Sequence, residues 1–195
     1  MTYDTLFLRN YARSKLATDP LYAAVAERLR GTSGTIVDIG CGIGLMAAYL
    51  RSEGFAQPII GIDHDAAKIE QARRAVPSAR FEVADAREAI PFGSSVLLLD
   101  VLHYFDDDDQ SRILENVAHA DLVIVRDALR DGTWRQHATK LAEMFARGVR
   151  WTKGERLNFP MRSRIVDAFR GFTAEITPMW GATPFNNYLF VFKKE

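Results

Sequence analysis

Residues 35–44 read TIVDIGCGIG, a short apolar run that ends in three glycines at alternate positions. The β-branched run predicts a buried strand, and apolar residues at helical spacing follow Gly44 directly. Because glycine has no Cβ, three of them let the backbone turn sharply and approach a bound molecule closely. A strand, a glycine loop and a helix in this order predict the first unit of a doubly wound sheet that binds a ligand at the loop.

Outward from this loop, four successive predicted strands each end in an aspartate. The strands cover residues 35–39, 57–62, 80–84 and 95–99, and the acids at their ends are Asp38, Asp63, Asp85 and Asp100. Any single aspartate at a strand end is commonly a turn residue. Because the carboxyl ends of parallel strands share one edge of the sheet, their coincidence predicts a cofactor cleft there.

The rest of the chain predicts one α/β domain over residues 1–195. Asp19-Pro20 begins a predicted helix, Asp109 is expected to cap another, and a fifth strand covers residues 122–125. Over residues 128–160 the alternation of strands and helices stops, and aromatic side chains predict a cover for a substrate. Two β-rich runs, 172–177 and 187–192, close the sequence.

The composition narrows the classes of function. The chain has 195 residues, 25 Lys and Arg against 25 Asp and Glu, and 48% hydrophobic residues, which is typical of a globular protein. Zero net charge argues against a large nucleic-acid footprint, and the longest apolar runs are too short to span a membrane. The one cysteine, Cys41, fits a reducing compartment. We expect a cytoplasmic protein that acts on a small molecule, with its oligomeric state left open.

Two cofactors fit a glycine loop of this kind. Residues 42–47 match G-x-G-x-x-A, a dinucleotide fingerprint that predicts an NAD(P)-dependent oxidoreductase. Asp38, however, places a negative charge where a pyrophosphate would approach, and it suits the amino group of an amino-acid ligand better. Asp63 follows the glycines by about twenty residues, as expected of an acid that accepts hydrogen bonds from ribose hydroxyls.

From Asp38 to Gly44 the sequence resembles the first motif, D-x-G-x-G-x-G, of the class I S-adenosylmethionine-dependent methyltransferases. The likeness continues in order and spacing through residues 62–63, 83–86, 90–92 and 100–105. It implies a Rossmann-like, doubly wound, seven-stranded sheet, mostly parallel, with an antiparallel last strand over 187–192 and helices on both faces. It also implies that S-adenosylmethionine is the cofactor and that methyl transfer itself requires no metal.

The resemblance implies which residues hold each part of this cofactor. They are Asp38, Gly40, Gly42 and Gly44 for the methionine part, Asp63 for the two ribose hydroxyls, His64 and Asp85 with the Ala86 amide for the adenine, and Asp100 for the amino-acid moiety or the reacting methyl group. Residues 1–30 would form a helical lid in which Tyr3 and Tyr11 approach the sulfonium.

A hydroxyl acceptor needs a base, and His103, three residues after Asp100, is the candidate. The alternative is that His103 merely orients its loop. The expected acceptor is a small hydrophobic or aromatic molecule, with oxygen favoured as the methylated atom. A basic cluster would favour an anionic or carrier-bound acceptor, unless it is a solvated face; it comprises Arg147, Arg150, Lys153 and Arg156. An oxidoreductase and a non-catalytic cofactor-binding protein stay open as alternatives.

Overall fold

A computed structural model describes residues 3–88, 90–139, 141, 157–180 and 185–195. It contains a seven-stranded sheet in the order β3-β2-β1-β4-β5-β7-β6. The strands are β1 Ile36–Ile39, β2 Ile59–Asp63, β3 Arg80–Val83, β4 Ser95–Leu99, β5 Leu122–Ala128, β6 Phe172–Pro178 and β7 Asn187–Lys194. The first five strands are parallel, and β7 runs antiparallel to both β5 and β6. The predicted mostly parallel sheet with an antiparallel last strand is therefore confirmed.

Helices cover both faces of this sheet. They are α1 Leu6–Thr18, α2 Leu21–Leu29, α3 Leu45–Ser52, α4 Ala66–Ala75, α5 Asp107–Val117 and α6 Arg162–Asp167, with a 3₁₀ turn at Leu102–Tyr104. Side chains alternate between the faces along each strand. In β4, for example, Leu97 and Leu99 pack with α1 to α4, whereas Val96 and Leu98 pack with α5 and α6. This explains why the strands read as nearly continuous apolar runs.

Two local predictions need correction. The N-cap of α5 is Asp106, not Asp109, because the Asp106 carboxylate accepts from the N–H groups of Asp108 and Asp109. Strand β5 continues three residues past its predicted end, to Ala128. The charges of Arg126 and Asp127 concealed that extension, since the sequence does not show that both are compensated inside the fold.

The 128–160 segment is described in part. Residues 134–139 are helical, and Trp134 and Leu141 are 64% and 57% exposed, so neither packs its ring or side chain onto the sheet. Phe159 is buried. The four basic residues predicted to attract an anionic acceptor lie outside the described residues. Within the described part of the chain, no helix is long and apolar enough to cross a membrane.

Candidate cofactor cleft

The glycine loop turns through three residues in the left-handed region. Gly40, Gly42 and Gly44 have φ angles of 74°, 56° and 78°. The loop is fixed to the neighbouring strand, because the N–H groups of Gly40 and Cys41 both donate to the Ile62 carbonyl, at 2.8 and 3.0 Å. The loop follows β1, whose neighbours β2 and β4 lead the chain in opposite directions across the sheet. Such a reversal opens a crevice at the carboxyl ends of the strands.

Asp63 joins the end of β2 to this loop. One carboxylate oxygen accepts from the Gly42 N–H at 3.0 Å, and the other accepts from the Asp65 N–H at 2.9 Å. The side chain is nearly buried, so these two bonds fix its direction. His64 is exposed beside it, with Nδ1 3.5 Å from an Asp63 oxygen. Both residues line a cavity of about 380 Å³ at the ends of β2 and β3, here called the β2–β3 cavity.

Asp85 also lines the β2–β3 cavity, but its carboxylate already has a partner. Arg87 Nε lies 2.9 and 3.1 Å from the two Asp85 oxygens, and hydrogen bonds from Arg87 hold the pKa of Asp85 below its usual range. Ala86 lies beside them and Phe105 faces the Arg87 guanidinium. The sequence predicted Asp85 and Ala86 for this place, and it missed Arg87, which stands only two residues further on.

A second cavity, of about 360 Å³, lies between α1 and the glycine loop and is called the α1 cavity here. Asp38 and Asp100 both line it, together with Tyr11 and Lys15 of α1. Gly40 borders both cavities, so the glycine loop stands where the two meet. The structure therefore brings the acids of four strands to one continuous edge, as the sequence predicted.

Asp38 is the most deeply buried of these acids, at 3% exposure. Burial, and next the negative charge of Asp63, raise the pKa of Asp38 to about 7. A cationic group in the α1 cavity would favour the charged carboxylate. Burial also raises the pKa of the Cys41 thiol, an effect that the charge of Asp38 reinforces, which argues against a nucleophilic cysteine.

Asp100 has the unusual backbone angle φ 59°, the left-handed region that favours glycine. Its carboxylate forms an ion pair with Arg126 of β5. Arg126 also lies 3.5 Å from the Asp19 carboxylate at the end of α1, and Asp19 accepts from Lys15 at 2.8 Å. The sequence analysis missed Arg126, although a basic residue next to the apolar run 122–125 was the available signal.

His103 lies in the 3₁₀ turn after β4, between Val101 and Tyr104, which line the β2–β3 cavity, while its own side chain packs near β5. Its Nδ1 is 2.7 Å from an Asp127 carboxylate oxygen, and the other oxygen accepts from the His103 backbone N–H at 3.3 Å. Both side chains are buried, and the imidazole lies against Tyr104 and Phe159. The residues that line the two cavities do not include His103 in the described part of the chain.

The N-terminal tyrosines divide into two roles. Tyr3 is 2% exposed and its hydroxyl donates to the Ile43 carbonyl at 3.2 Å, so it anchors the chain to the glycine loop. Tyr11 lines the α1 cavity.

No group of His, Cys, Asp or Glu side chains within the described ranges is arranged to hold a metal ion. The sheet reversal, the glycine loop and the acids on one edge define a Rossmann-like cofactor-binding domain.

Comparison with known proteins shows which domain model and which solved folds the chain resembles. Residues 36–120 match a family model described as a methyltransferase domain. Among solved structures, magnesium protoporphyrin IX methyltransferase from Synechocystis with bound S-adenosylhomocysteine is similar, with a TM-score of 0.69 at 16% identity over 100% of this chain and 90% of that one. At this identity the likeness shows the fold. The chain thus shares its fold with methyltransferases whose structures hold S-adenosylmethionine or S-adenosylhomocysteine, and its residues 36–120 match a methyltransferase domain.

Curated relatives match shorter stretches. Trans-aconitate 2-methyltransferase from Enterobacter sp. is 43% identical over 56 residues, 29% of this chain and 22% of that protein. O-methyltransferase ZRP4 from Zea mays is 34% identical over 123 residues, 61% of this chain and 32% of that protein. Glutamyl-tRNA reductase from Exiguobacterium sp. is 31% identical over 106 residues, 54% and 23% respectively. The chain thus spans less than a third of the length of each of these relatives.

Proposed function

We propose that this protein transfers a methyl group from S-adenosylmethionine to a small acceptor, with oxygen favoured as the methylated atom. The observation that carries the proposal is the convergence of Asp38, Asp63 and Asp100 along two cavities that meet at Gly40. The α1 cavity is lined by carboxylates and lysines, and the β2–β3 cavity is lined by the acid at the end of β2. This arrangement suits a ligand with a charged amino-acid end and an adenosine end.

The described residues fit each part of that cofactor. Asp63 has two fixed oxygens for the ribose hydroxyls, and His64 and Asp85 with the Ala86 amide border the space for the adenine. Asp38 and Asp100 would supply negative charge for the ammonium and sulfonium groups, and Lys15 and Lys68, which line the same cavity, are the cations available for the carboxylate.

When bound, S-adenosylmethionine supplies a methyl group that is already activated, so the protein has to position the acceptor and receive its proton. His103 is proposed to receive the proton from a hydroxyl acceptor. Asp127 would fix the imidazole tautomer and ring orientation, since its carboxylate would accept the Nδ1–H. The other ring nitrogen, Nε2, is then the atom that takes the proton.

The acceptor is proposed to be small and hydrophobic or aromatic, bound beneath residues 128–160, with residues 1–30 as the lid over the cofactor. The names of two relatives, a trans-aconitate methyltransferase and an O-methyltransferase, support small acceptors and oxygen. An anionic acceptor agrees with the first of these names. We place the reaction in the cytoplasm, because the one cysteine needs no oxidising compartment.

A reductase is the competing proposal, because one relative carries that activity in its name. The buried carboxylate of Asp38 opposes it, since it would lie near a pyrophosphate. Calorimetric titration with S-adenosylhomocysteine and, separately, NADPH distinguishes the two. We expect the former alone to bind, and to lose at least ~10-fold in affinity in Asp63→Ala but not in the control Asp121→Ala at an exposed site. Binding of NADPH alone would overturn the proposal.

The catalytic assignment needs a second experiment. An acceptor panel is screened for S-adenosylhomocysteine release, and His103→Ala and Asp127→Asn are then compared with the wild type. We expect turnover to fall in both variants, with cofactor affinity unchanged and the acidic limb of the pH–rate profile altered in Asp127→Asn. Equal turnover in His103→Ala would make His103 a structural residue. Cofactor binding without transfer to any acceptor would favour a non-catalytic binding protein.

A further inference from the structure

A buried ion cluster connects two sides of the α1 cavity: the roof, formed by α1, and the floor, where Asp100 lies. Arg126 is 7% exposed and lies on the β5 face that packs with α1 and α2, two residues after Ile124. Its guanidinium pairs with Asp100 on the floor and with Asp19, 9% exposed, at the end of α1. Lys15 extends the cluster along α1, with Nζ 2.8 Å from Asp19.

This cluster contains features that do not favour stability. Within the described part of the chain, the buried Nε–H of Arg126 has no hydrogen-bond partner. The Asp100 backbone is held at φ 59°, in the left-handed region that few residues with a Cβ adopt. Buried ion pairs are often no more stabilising than apolar residues of the same volume. Unsatisfied donors and strained backbone concentrate at functional sites.

The cluster touches the cavity on two sides. Lys15 and Tyr11 of α1 line the roof, and Asp100 lines the floor, with 36% of its side chain exposed. The chain before α1 is attached separately, by the buried Tyr3 and by the exposed Arg74–Asp4 ion pair. The ion cluster at Asp19 therefore attaches the opposite, C-terminal end of α1.

We propose that Arg126 is a positioning residue for the cofactor. It holds the Asp100 carboxylate toward the α1 cavity and anchors the C-terminal end of α1 above it, so one guanidinium sets the distance between roof and floor. The inference rests on the proposed function, because the ligand positioned in the α1 cavity is the amino-acid end of the cofactor.

The test compares four variants of the full chain with the wild type. Arg126→Met keeps most of the side-chain volume without the charge, and Arg126→Lys restores a cation. Asp19→Asn removes the roof contact, and Asp100→Asn removes the floor contact. Arg28→Met is the control, because Arg28 pairs with Glu175 and neither residue lines the cavity. The readouts are S-adenosylhomocysteine affinity by calorimetry and amide hydrogen exchange over residues 6–18.

We expect Arg126→Met to lose at least about tenfold in affinity and to exchange α1 amides at least about tenfold faster, with partial recovery in Arg126→Lys. Asp19→Asn should mainly speed α1 exchange, and Asp100→Asn should mainly lower affinity. This division distinguishes positioning from a general loss of stability, which would speed exchange throughout the chain.

Two results would overturn the inference. One is wild-type affinity together with wild-type α1 exchange in Arg126→Met. The other applies if Arg126→Met does not fold. In that case the inference fails if Asp19→Asn and Asp100→Asn both leave the affinity and the α1 exchange rates unchanged. If the wild type does not bind S-adenosylhomocysteine, the proposed function fails, whereas α1 exchange in Arg126→Met and Asp19→Asn still decides whether the cluster anchors the helix.

Discussion

Replacing Asp38 by asparagine should stabilise the fold and weaken cofactor binding. Asp38 is buried and its pKa rises from 3.8 to about 7, so the native state retains a proton that the unfolded chain has lost between these values. Stability therefore falls as pH rises through this window. Three pKa units at 1.36 kcal/mol each amount to about 4 kcal/mol of lost stability above the native pKa. Asparagine resembles the protonated acid in shape and avoids that cost.

The assay is urea unfolding of the wild type and Asp38→Asn across roughly pH 4 to 8. The difference in free energy of unfolding should be near zero at the acidic end and grow to at most about 4 kcal/mol at the basic end. Asp121→Asn makes the same chemical change at an exposed site, and its difference should stay small throughout. A difference for Asp38→Asn that does not change with pH would refute the reasoning.

Affinity should move in the opposite direction. The ammonium group of S-adenosylhomocysteine favours the ionised carboxylate, so wild-type affinity should rise by up to about tenfold from roughly pH 6 to 8, as the ionised fraction of Asp38 rises. Asp38→Asn should bind more weakly and lose this pH dependence. Unchanged affinity in the variant would remove Asp38 from the cofactor site while leaving its effect on stability intact.

Four further substitutions test the fold, each by urea unfolding. Gly40→Ala should cost about 2–4 kcal/mol, because a Cβ at this φ of 74° would lie 2.6 Å from Val101. Gly42→Ala should cost only about 1–2 kcal/mol, because its φ is 56° but nothing lies within 4 Å of the added Cβ. Equal costs would contradict the steric argument. Phe192→Ala removes a fully buried ring and should cost about 3–5 kcal/mol. Asp106→Ala should cost about 1 kcal/mol, and no loss would remove it as the N-cap of α5.

Much of the fold and of the candidate cofactor site could be predicted from local sequence. An apolar β-branched run before alternate glycines predicts strand, loop and helix, because only glycine occupies those positive φ angles cheaply. Acids at the ends of parallel strands meet at one edge whatever the details of packing. Asp38, Asp63 and Asp100 were therefore predicted at the cleft, and the structure places all three there.

Residues whose environment comes from distant segments were harder to predict. Arg126 and Asp127 are adjacent in β5 and face opposite sides of the sheet, one toward Asp19 and Asp100 and the other toward His103. In the sequence alone, two adjacent charged residues indicate the end of a buried apolar strand. The strand continues because Arg126 pairs with Asp100 and Asp127 is hydrogen-bonded to His103, partners at least 24 residues away.

The sequence by itself determined the parallel sheet, the glycine loop and the acids on its edge, since these depend on side-chain size, backbone freedom and alternation along a strand. Only the tertiary structure shows that Arg87 pairs with the Asp85 carboxylate, that burial raises the pKa of Asp38 and that Arg126 links α1 to Asp100. Desolvation and ion pairing depend on which segments pack together, and that information is absent from the spacing of residues along the chain.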